Sequence, residues 1–252
     1  MKKVFTLVVL ATFLLESQGY AQIFKKSSNS SDSSATAIKN PLNKLFNKTK
    51  GGSLTNDEVV AGLKEALSVG AERGTKQLSA VDGFFGNAAI KILMPDEAKK
   101  VEQKLRSVGL GKQVDQAILS MNRGAEDAAK SAAPIFINAV KQMSIQDAMG
   151  ILRGGDNTAT NYLKGKTTTQ LTEAFRPVIE ESLKKVDATK YWNTVFTTYN
   201  QFSKEKVNPD LTAYVTEKAL AGIFVQLAAE EMKIRKDPMA RTTEILKKVF
   251  AN

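Results

Sequence analysis

Residues 144–177 read SIQDAMGILRGGDNTATNYLKGKTTTQLTEAFRP, and this stretch decides the fold that we expect. Ser144 is a helix N-cap residue before apolar residues at helical spacing, and Gly154 and Gly155 end that helix. The stretch predicts three short helices, which begin at Ser144, Asp156 and Thr167 and end at Gly154–Gly155, near Gly165 and at Pro177. Two sharp corners between helices would then set the angle between the two halves of the molecule.

Longer amphipathic helices are predicted on both sides of this stretch. Thr55 and Glu58 form a capping box at the first of them. Pro95 opens a later one, and Asn208 with Pro209 predicts the start of the last long one. Caps, apolar stripes and Gly or Pro stops recur along the chain, and no segment alternates with period two. We therefore predict an all-α fold without a sheet, a single bundle-like domain of about eight to ten helices over residues 53–252.

Small residues recur every four positions along the first predicted helix. Such a row lets a neighbouring helix approach closely, either inside the core or at a dimer face. The cost in helix propensity is roughly 1 kcal/mol for each glycine, so the close packing is expected to compensate for it. The row consists of Gly62, Ala66, Gly70 and Gly74.

The first 21 residues have the pattern of a secretion signal. Lys2 and Lys3 precede an apolar run over residues 4–15, and small residues stand before a cleavage site at Ala21–Gln22. The run is too short to span a bilayer. We expect a periplasmic or secreted protein with no transmembrane span after cleavage; the alternative is an uncleaved anchor or a buried helix.

Residues 22–52 are predicted to form a disordered, serine-rich linker. Residues 27–36 are almost entirely polar. The formal net charge of the chain is +10, and the linker holds six lysines against one aspartate. This distribution lacks the dense basic patch with interleaved aromatics that nucleic-acid binding requires. It permits a weak contact between the basic tail and an anionic membrane surface.

Cysteine and histidine are both absent from the chain. Their absence excludes disulfides, thiolate nucleophiles, thiolate metal sites and the imidazole that most often serves as a general base or metal ligand. The sequence therefore predicts no cofactor, no metal site and no catalytic residue, and it argues against an enzyme.

Four motifs give the chain a resemblance to a known family. They are Met121–Arg123, Ile151–Asp156, Leu171–Pro177 and Ala240–Thr243. On these motifs, from about Ser53 to Phe250, the chain resembles the bacterial domain-of-unknown-function 4197 family. The resemblance implies an exported, helical protein, and it implies no catalytic residue because no activity is established for the family.

Arginine is used sparingly, with 7 arginines against 29 lysines. Four of the arginines lie in the motifs, and a planar guanidinium suits fixed two-point contacts with a carboxylate or a phosphate. We predict that these arginines and nearby carboxylates form a cluster that ties helices together or, alternatively, lines an anion-binding cleft. The candidate residues are Arg123, Glu126, Arg153, Asp156, Glu173, Arg176 and Arg241.

Two functions from different classes are compatible with the sequence. The first is an exported, periplasmic, non-enzymatic binding or interaction module of the cell envelope, whose partner is an envelope protein or an anionic ligand. The second is a carboxylate-based hydrolase that acts on envelope polymers. A cleft holding two carboxylates would favour the hydrolase, and an ion-paired, closed surface would favour the binding module.

Overall fold

The computed structural model describes residues 55–237 apart from 203, 205 and 207, together with residue 247; the side chains of residues 195, 198 and 202 are also not described. The predicted signal and linker lie outside these residues. Within them the chain forms eight α-helices, one 3₁₀ turn and no strand, so the all-α prediction is confirmed. The elements are α1 Asn56–Leu78, the 3₁₀ turn Asp96–Ala98, α2 Lys99–Ser107, α3 Gly111–Ala129, α4 Ala132–Lys141, α5 Ile145–Arg153, α6 Thr158–Lys184, α7 Ala188–Phe202 and α8 Leu211–Lys236.

Helices α6 and α8 form the centre of the domain. Helix α6 packs against α3, α4 and α8, and α8 also packs against α1 and α3. Residues of α6 spaced by four form one continuous buried stripe along its whole length, which is why the helix is central. The stripe consists of Ala159, Leu163, Thr167, Leu171, Phe175, Ile179 and Leu183.

The prediction of a second corner near Gly165 is wrong, because α6 runs unbroken through Gly165 and Pro177. Both residues are exposed, and the buried stripe continues past them. A glycine inside a helix costs about 1 kcal/mol and a proline about 3 kcal/mol. Burial of side chains such as Phe175 and Ile179, on either side of the proline, outweighs these local costs.

The first corner of the quoted stretch is present. Ser144 caps α5 through a capping box with Asp147, and α5 ends at Arg153. Helix α6 does not begin at Asp156 as predicted. Its N-cap is Asn157, whose backbone is left-handed with φ 67° and whose side chain makes no capping hydrogen bond. A residue from another helix caps α6 instead, as described below.

Three further predictions concern α1 and α8. Thr55 and Glu58 form the predicted capping box of α1. Gly70 and Gly74 of the small-residue row lie against the side chains of α8, so this part of the row serves close packing inside the domain. The N-cap of α8 is Asp210 rather than Asn208, because Asp210 accepts a hydrogen bond from the amide of Ala213 at 2.9 Å.

Helices α2 and α7 are attached to one side of this core. Helix α2 packs on α3, and α7 packs on α6 and α8. Gly109, with φ 88°, makes the reversal between α2 and α3, a conformation that side chains other than glycine rarely adopt. The two helices flank the surface that we describe next.

Candidate functional site

An apolar groove opens between α2, α3 and α7. It has a volume of about 440 Å³, and most of its lining side chains are aliphatic or aromatic. The main contributors are Val101 and Leu105 from α2, Ala117 and Met121 from α3, and Trp192 and Phe196 from α7. The volume lies within the range typical of small-molecule sites, roughly 300–1,000 Å³.

The rim of the groove exposes apolar side chains to solvent. Leu110 is 40% exposed, Val186 40% and Tyr191 63%. Helix α2 contains no buried residue, although Val101 and Leu105 face the groove and are half-buried. Helix α2 therefore presents its apolar face to an open surface rather than to a closed core, a pattern that marks binding sites when the exposed residues are contiguous.

Trp192 stands at one end of the groove and is the only tryptophan in the chain. Its indole nitrogen donates a hydrogen bond to the carbonyl oxygen of Asn208 at 3.0 Å. Its ring centroid lies 4.3 Å from that of Phe196 and 6.5 Å from that of Tyr214, with the Tyr214 ring nearly parallel. The ring is fixed on one edge and faces the groove, so its fluorescence is suited to report what enters.

Glu102 is the one charged side chain among the described residues that line the groove. Arg106 holds it at 2.9 Å and also contacts Asp115 of α3 at 2.8 Å. These two carboxylates raise the pKa of the Arg106 guanidinium, with Asp115 contributing most. The arginine therefore ties α2 to α3 across the Gly109 reversal and neutralises the charge of Glu102 at the groove wall.

A polar pocket of about 410 Å³ adjoins the groove, and the two share Met94 and Trp192. Tyr214 lines it, and its hydroxyl donates a hydrogen bond to the carbonyl oxygen of Leu93 at 2.8 Å. Burial, followed by the nearby charges of Glu97, Asp96 and Glu217, raises the pKa of Tyr214 to about 12. The remaining charged side chains around the pocket are Asp96, Glu97, Lys206, Glu217 and Lys218.

Arg123 and Glu126, two of the predicted candidates, form an ion pair at 2.6 Å on α3. Glu126 is buried, and its other oxygen accepts hydrogen bonds from the amides of Phe84 and Phe85, both at 3.1 Å. Arg123 also contacts Asp82 at 2.8 Å, and the two carboxylates, Glu126 foremost, raise its pKa. The pair therefore fixes the loop that follows α1.

Asn122, beside Arg123 in the same motif, fixes the chain further along. Its side chain is fully buried, accepts a hydrogen bond from the amide of Ile92 and donates one to the carbonyl oxygen of Ile92, both at 2.8 Å. It also donates to the carbonyl oxygen of Ile118. The asparagine thus supplies partners to the backbone of Ile92, which lies outside the helices. This role was not predicted from the sequence.

The remaining candidates do not join Arg123 through a shared partner. Arg176 pairs with Asp210 at 2.5 Å rather than with Glu173, and both its side chain and that of Asp210 are substantially exposed. Asp156 pairs with Lys236 at 3.1 Å rather than with Arg153.

Arg153 is exposed and makes no ion pair with any residue that the structure describes, whereas Arg241 lies outside those residues. Among the described residues, no common carboxylate therefore joins Arg123, Arg153 and Arg176 of the predicted cluster.

Glu231 and Arg235 on α8 form the most buried arginine pair among the described residues, and this pair was not predicted from the sequence. The two side chains are 6% and 15% exposed and lie 2.9 Å apart. Glu231 accepts hydrogen bonds from the amides of Ala159 and Thr160 at the start of α6, and Arg235 donates to the carbonyl oxygen of Ile151 in the last turn of α5. Each charge thus complements the helix end that it meets.

The spacing of Glu231 and Arg235 was visible in the sequence as an acidic and a basic residue four positions apart. Such a pair usually lies on a solvated face. Its role at the α5–α6 corner depends on α8 packing there, which no local pattern shows.

The family-model comparison covers residues 53–251 and matches the family described as "Protein of unknown function (DUF4197)". The chain belongs to this family. The resemblance based on the four motifs is thereby confirmed. Comparisons with curated proteins and with solved structures gave no match.

Two further features are absent among the described residues. No helix among them is at once long enough and apolar enough to cross a membrane. Nor do these residues include a group of three or more acidic side chains placed to hold a metal ion.

Proposed function

We propose that this chain is an exported, periplasmic binding module of the cell envelope that carries out no catalysis. We further propose that it holds the acyl chain of a small amphiphile in the groove between α2 and α7. The observation that carries the proposal is the groove itself, an open apolar cavity of about 440 Å³ on a domain whose buried glutamates, among the described residues, are all paired.

Two features favour a small amphiphile over a helix of a partner protein. The groove has the volume of a small-molecule site, whereas a stable protein interface buries about 800 Å² on each partner. The groove also continues past Met94 and Trp192 into a pocket with charged walls. An apolar surface that ends at a polar one matches a ligand with an apolar chain and a polar head.

The buried carboxylates argue against the hydrolase that the sequence left open. Glycoside hydrolysis needs two carboxyl groups that face the substrate. Glu126 accepts from backbone amides, Glu230 pairs with Lys233, and Glu231 pairs with Arg235. Glu58 belongs to the capping box of α1. Each buried glutamate of the described part of the chain is thus engaged by the fold. Glu97 and Glu217 also face a cavity, the polar pocket beside the groove, but both are exposed side chains, and two lysines line the same pocket. The arrangement therefore supports binding rather than hydrolysis.

Export is tested by fractionation combined with mass spectrometry of the mature N-terminus. We expect the protein in the periplasmic or secreted fraction with Gln22 as its first residue. A cytoplasmic protein that retains Met1 would contradict the proposal of an exported module.

Binding is tested by titrating the purified protein with a dodecyl maltoside probe below its micelle concentration and following Trp192 fluorescence. Leu110→Asp should weaken binding at least tenfold, because it places a charge at the apolar rim. The fold should tolerate this change, since Leu110 is 40% exposed and occupies the N-cap of α3, where aspartate is favoured.

Ile145→Asp is the matched control, because Ile145 is 55% exposed and lies outside the groove. It should bind the probe as the unmodified protein does. Equal loss in both variants, or binding that neither variant changes, would contradict the assignment of the groove.

A further inference from the structure

We infer that the polar pocket beside the groove recognises a zwitterionic head group, one that carries both a phosphate and a primary amine, on the amphiphile whose chain occupies the groove. This inference rests on the proposed function, because the head is positioned by the chain. Its basis is the arrangement of charges around the pocket and the walls that the pocket shares with the groove.

The shared walls place the head beside the end of the chain. Met94 and Trp192 line both the groove and the pocket. Tyr214 stacks on Trp192 and carries its hydroxyl into the pocket wall, where Leu93 accepts its hydrogen bond. Trp192 and Tyr214 therefore lie at the boundary between the apolar groove and the polar pocket. A ligand that extends from the groove past Trp192 meets polar side chains directly beyond this pair of rings.

The pocket presents charges of both signs that no described residue pairs. Asp96 is held by Lys99 at 2.7 Å. Glu97, Glu217, Lys206 and Lys218 line the pocket and form no ion pair with any described residue. Two carboxylates and two ammonium groups therefore remain for a ligand, and their charges cancel.

Both lysines have contacts that fix their direction. The ammonium group of Lys218 lies 5.6 Å from the centre of the Tyr214 ring, and that of Lys206 donates a hydrogen bond to the carbonyl oxygen of Asn200. A lysine has three N–H donors, so each ammonium group retains donors for a phosphate oxygen. The lysines are thus held at the pocket without being neutralised.

Charge complementarity selects the head group. A head with only a phosphate meets Lys206 and Lys218 but also the like charges of Glu97 and Glu217. A head with only an amine meets Glu97 and Glu217 but also the like charges of Lys206 and Lys218. A phosphate joined to an amine places each charge near an opposite one. Because these groups are exposed, each favourable or unfavourable pair changes affinity by at most roughly fivefold, so we expect a total preference of about five- to tenfold.

The experiment compares three single-chain probes with the same dodecanoyl chain, each below its micelle concentration. Their heads are phosphoethanolamine, phosphoglycerol and uncharged glycerol. Trp192 fluorescence gives the affinity. We expect the phosphoethanolamine probe to bind five- to tenfold more tightly than the phosphoglycerol probe at low salt, and the preference to shrink as salt is added.

Two double variants locate the preference. Glu97→Gln with Glu217→Gln should abolish the preference for phosphoethanolamine over phosphoglycerol. Lys206→Gln with Lys218→Gln should weaken both phosphate probes. Neither should change binding of the glycerol probe. All four residues are exposed, so the fold should persist, and Glu173→Gln, on an exposed carboxylate outside both cavities, is the control.

The outcomes separate the two proposals. Equal affinity for the three probes, or a preference that the double variants leave unchanged, overturns the head-group inference while the groove proposal stands. Failure of all three probes to bind, including the uncharged one, overturns the groove proposal and the inference with it. A phosphoglycerol preference would assign the pocket to an anionic head instead and would also overturn the inference.

Discussion

The α5–α6 corner and the groove between α2 and α7 are built in opposite ways. At the corner, the charged side chains of Glu231 and Arg235 are largely buried, and both have partners in each other and in the helix ends that they meet. At the groove, apolar side chains such as Leu110 and Tyr191 are exposed, and no part of the chain that the structure describes covers them. The comparison indicates that buried ion pairs stabilise this fold, whereas the exposed apolar surface of the groove is available to bind a ligand.

The comparison predicts that substitutions at the corner cost stability and substitutions at the groove cost binding. The largest loss of stability is expected for Arg235→Ala. This change removes the partner of buried Glu231 and three donors that meet the end of α5 or the carboxylate. Stranding one charge of a buried pair costs about 3–5 kcal/mol.

Urea denaturation of Arg235→Ala and the unmodified protein measures the difference in unfolding free energy. Lys236→Ala is the neighbouring control, because its pair with Asp156 is exposed and should contribute only about 0–1 kcal/mol. A loss below about 1 kcal/mol for Arg235→Ala would mean that the corner is not the anchored region that the comparison requires.

Asn122→Ala is expected to have the next largest effect. It leaves both the amide and the carbonyl of Ile92 without their side-chain partner. Each buried backbone group that loses its hydrogen bond costs about 1–3 kcal/mol, so we expect a loss of about 2–4 kcal/mol. Thermal unfolding measures it, and Asn138→Ala, on an exposed asparagine, should change stability little. Similar melting of the two variants would refute this account of the motif.

The pocket end of the groove gives a pH-dependent prediction. The pKa of Tyr214 is raised to about 12 in the folded protein, chiefly by burial, whereas an unfolded tyrosine titrates near pH 10. A raised pKa stabilises the fold fully below about pH 10, and that contribution is lost as the pH rises towards 12.

The difference in unfolding free energy between the unmodified protein and Tyr214→Phe should therefore shrink between pH 10 and 12. Absorbance of tyrosinate, compared between the two proteins, gives the titration of Tyr214 directly. A constant difference across this window would show that burial at the pocket does not raise the pKa of the Tyr214 hydroxyl.

The smallest effect is expected for Arg176→Ala. Its pair with Asp210 is short, but the two side chains are 47% and 40% exposed, so solvent screens it. We expect a loss of about 0–1 kcal/mol, and Arg176→Lys should be indistinguishable from it in thermal melts at matched salt. A loss comparable with that of Arg235→Ala would remove the contrast between exposed and buried arginine pairs.

Local signals were predicted well from the sequence because the physics that produces them is local. The capping box at Thr55 and the helix start at Ser144 each depend on a few neighbouring residues, and both are present. The pair of Arg123 with Glu126 depends on three-residue spacing in one helix, and it forms. The all-α class follows from many such signals together.

The structural features that could not be predicted from the sequence depend on packing between distant parts of the chain. Gly165 and Pro177 are helix breakers locally, yet the buried stripe of α6 continues through them. Arg176 finds its partner 34 residues away, at Asp210. The groove draws its walls from separate helices, so no stretch of the chain carries its pattern. The cap of α6 by Glu231 is of the same kind.

The central claim, that the groove binds an acyl chain, is tested most directly by the dependence of affinity on chain length. Alkyl maltosides of eight, nine, ten and eleven carbons, titrated below their micelle concentrations and followed by Trp192 fluorescence, isolate the contribution of each methylene. Burial of one methylene contributes about 0.8 kcal/mol, so affinity should rise up to about fourfold per carbon in the unmodified protein and less in Leu110→Asp. An affinity that does not change with chain length, or no binding by any member of the series, would contradict the claim.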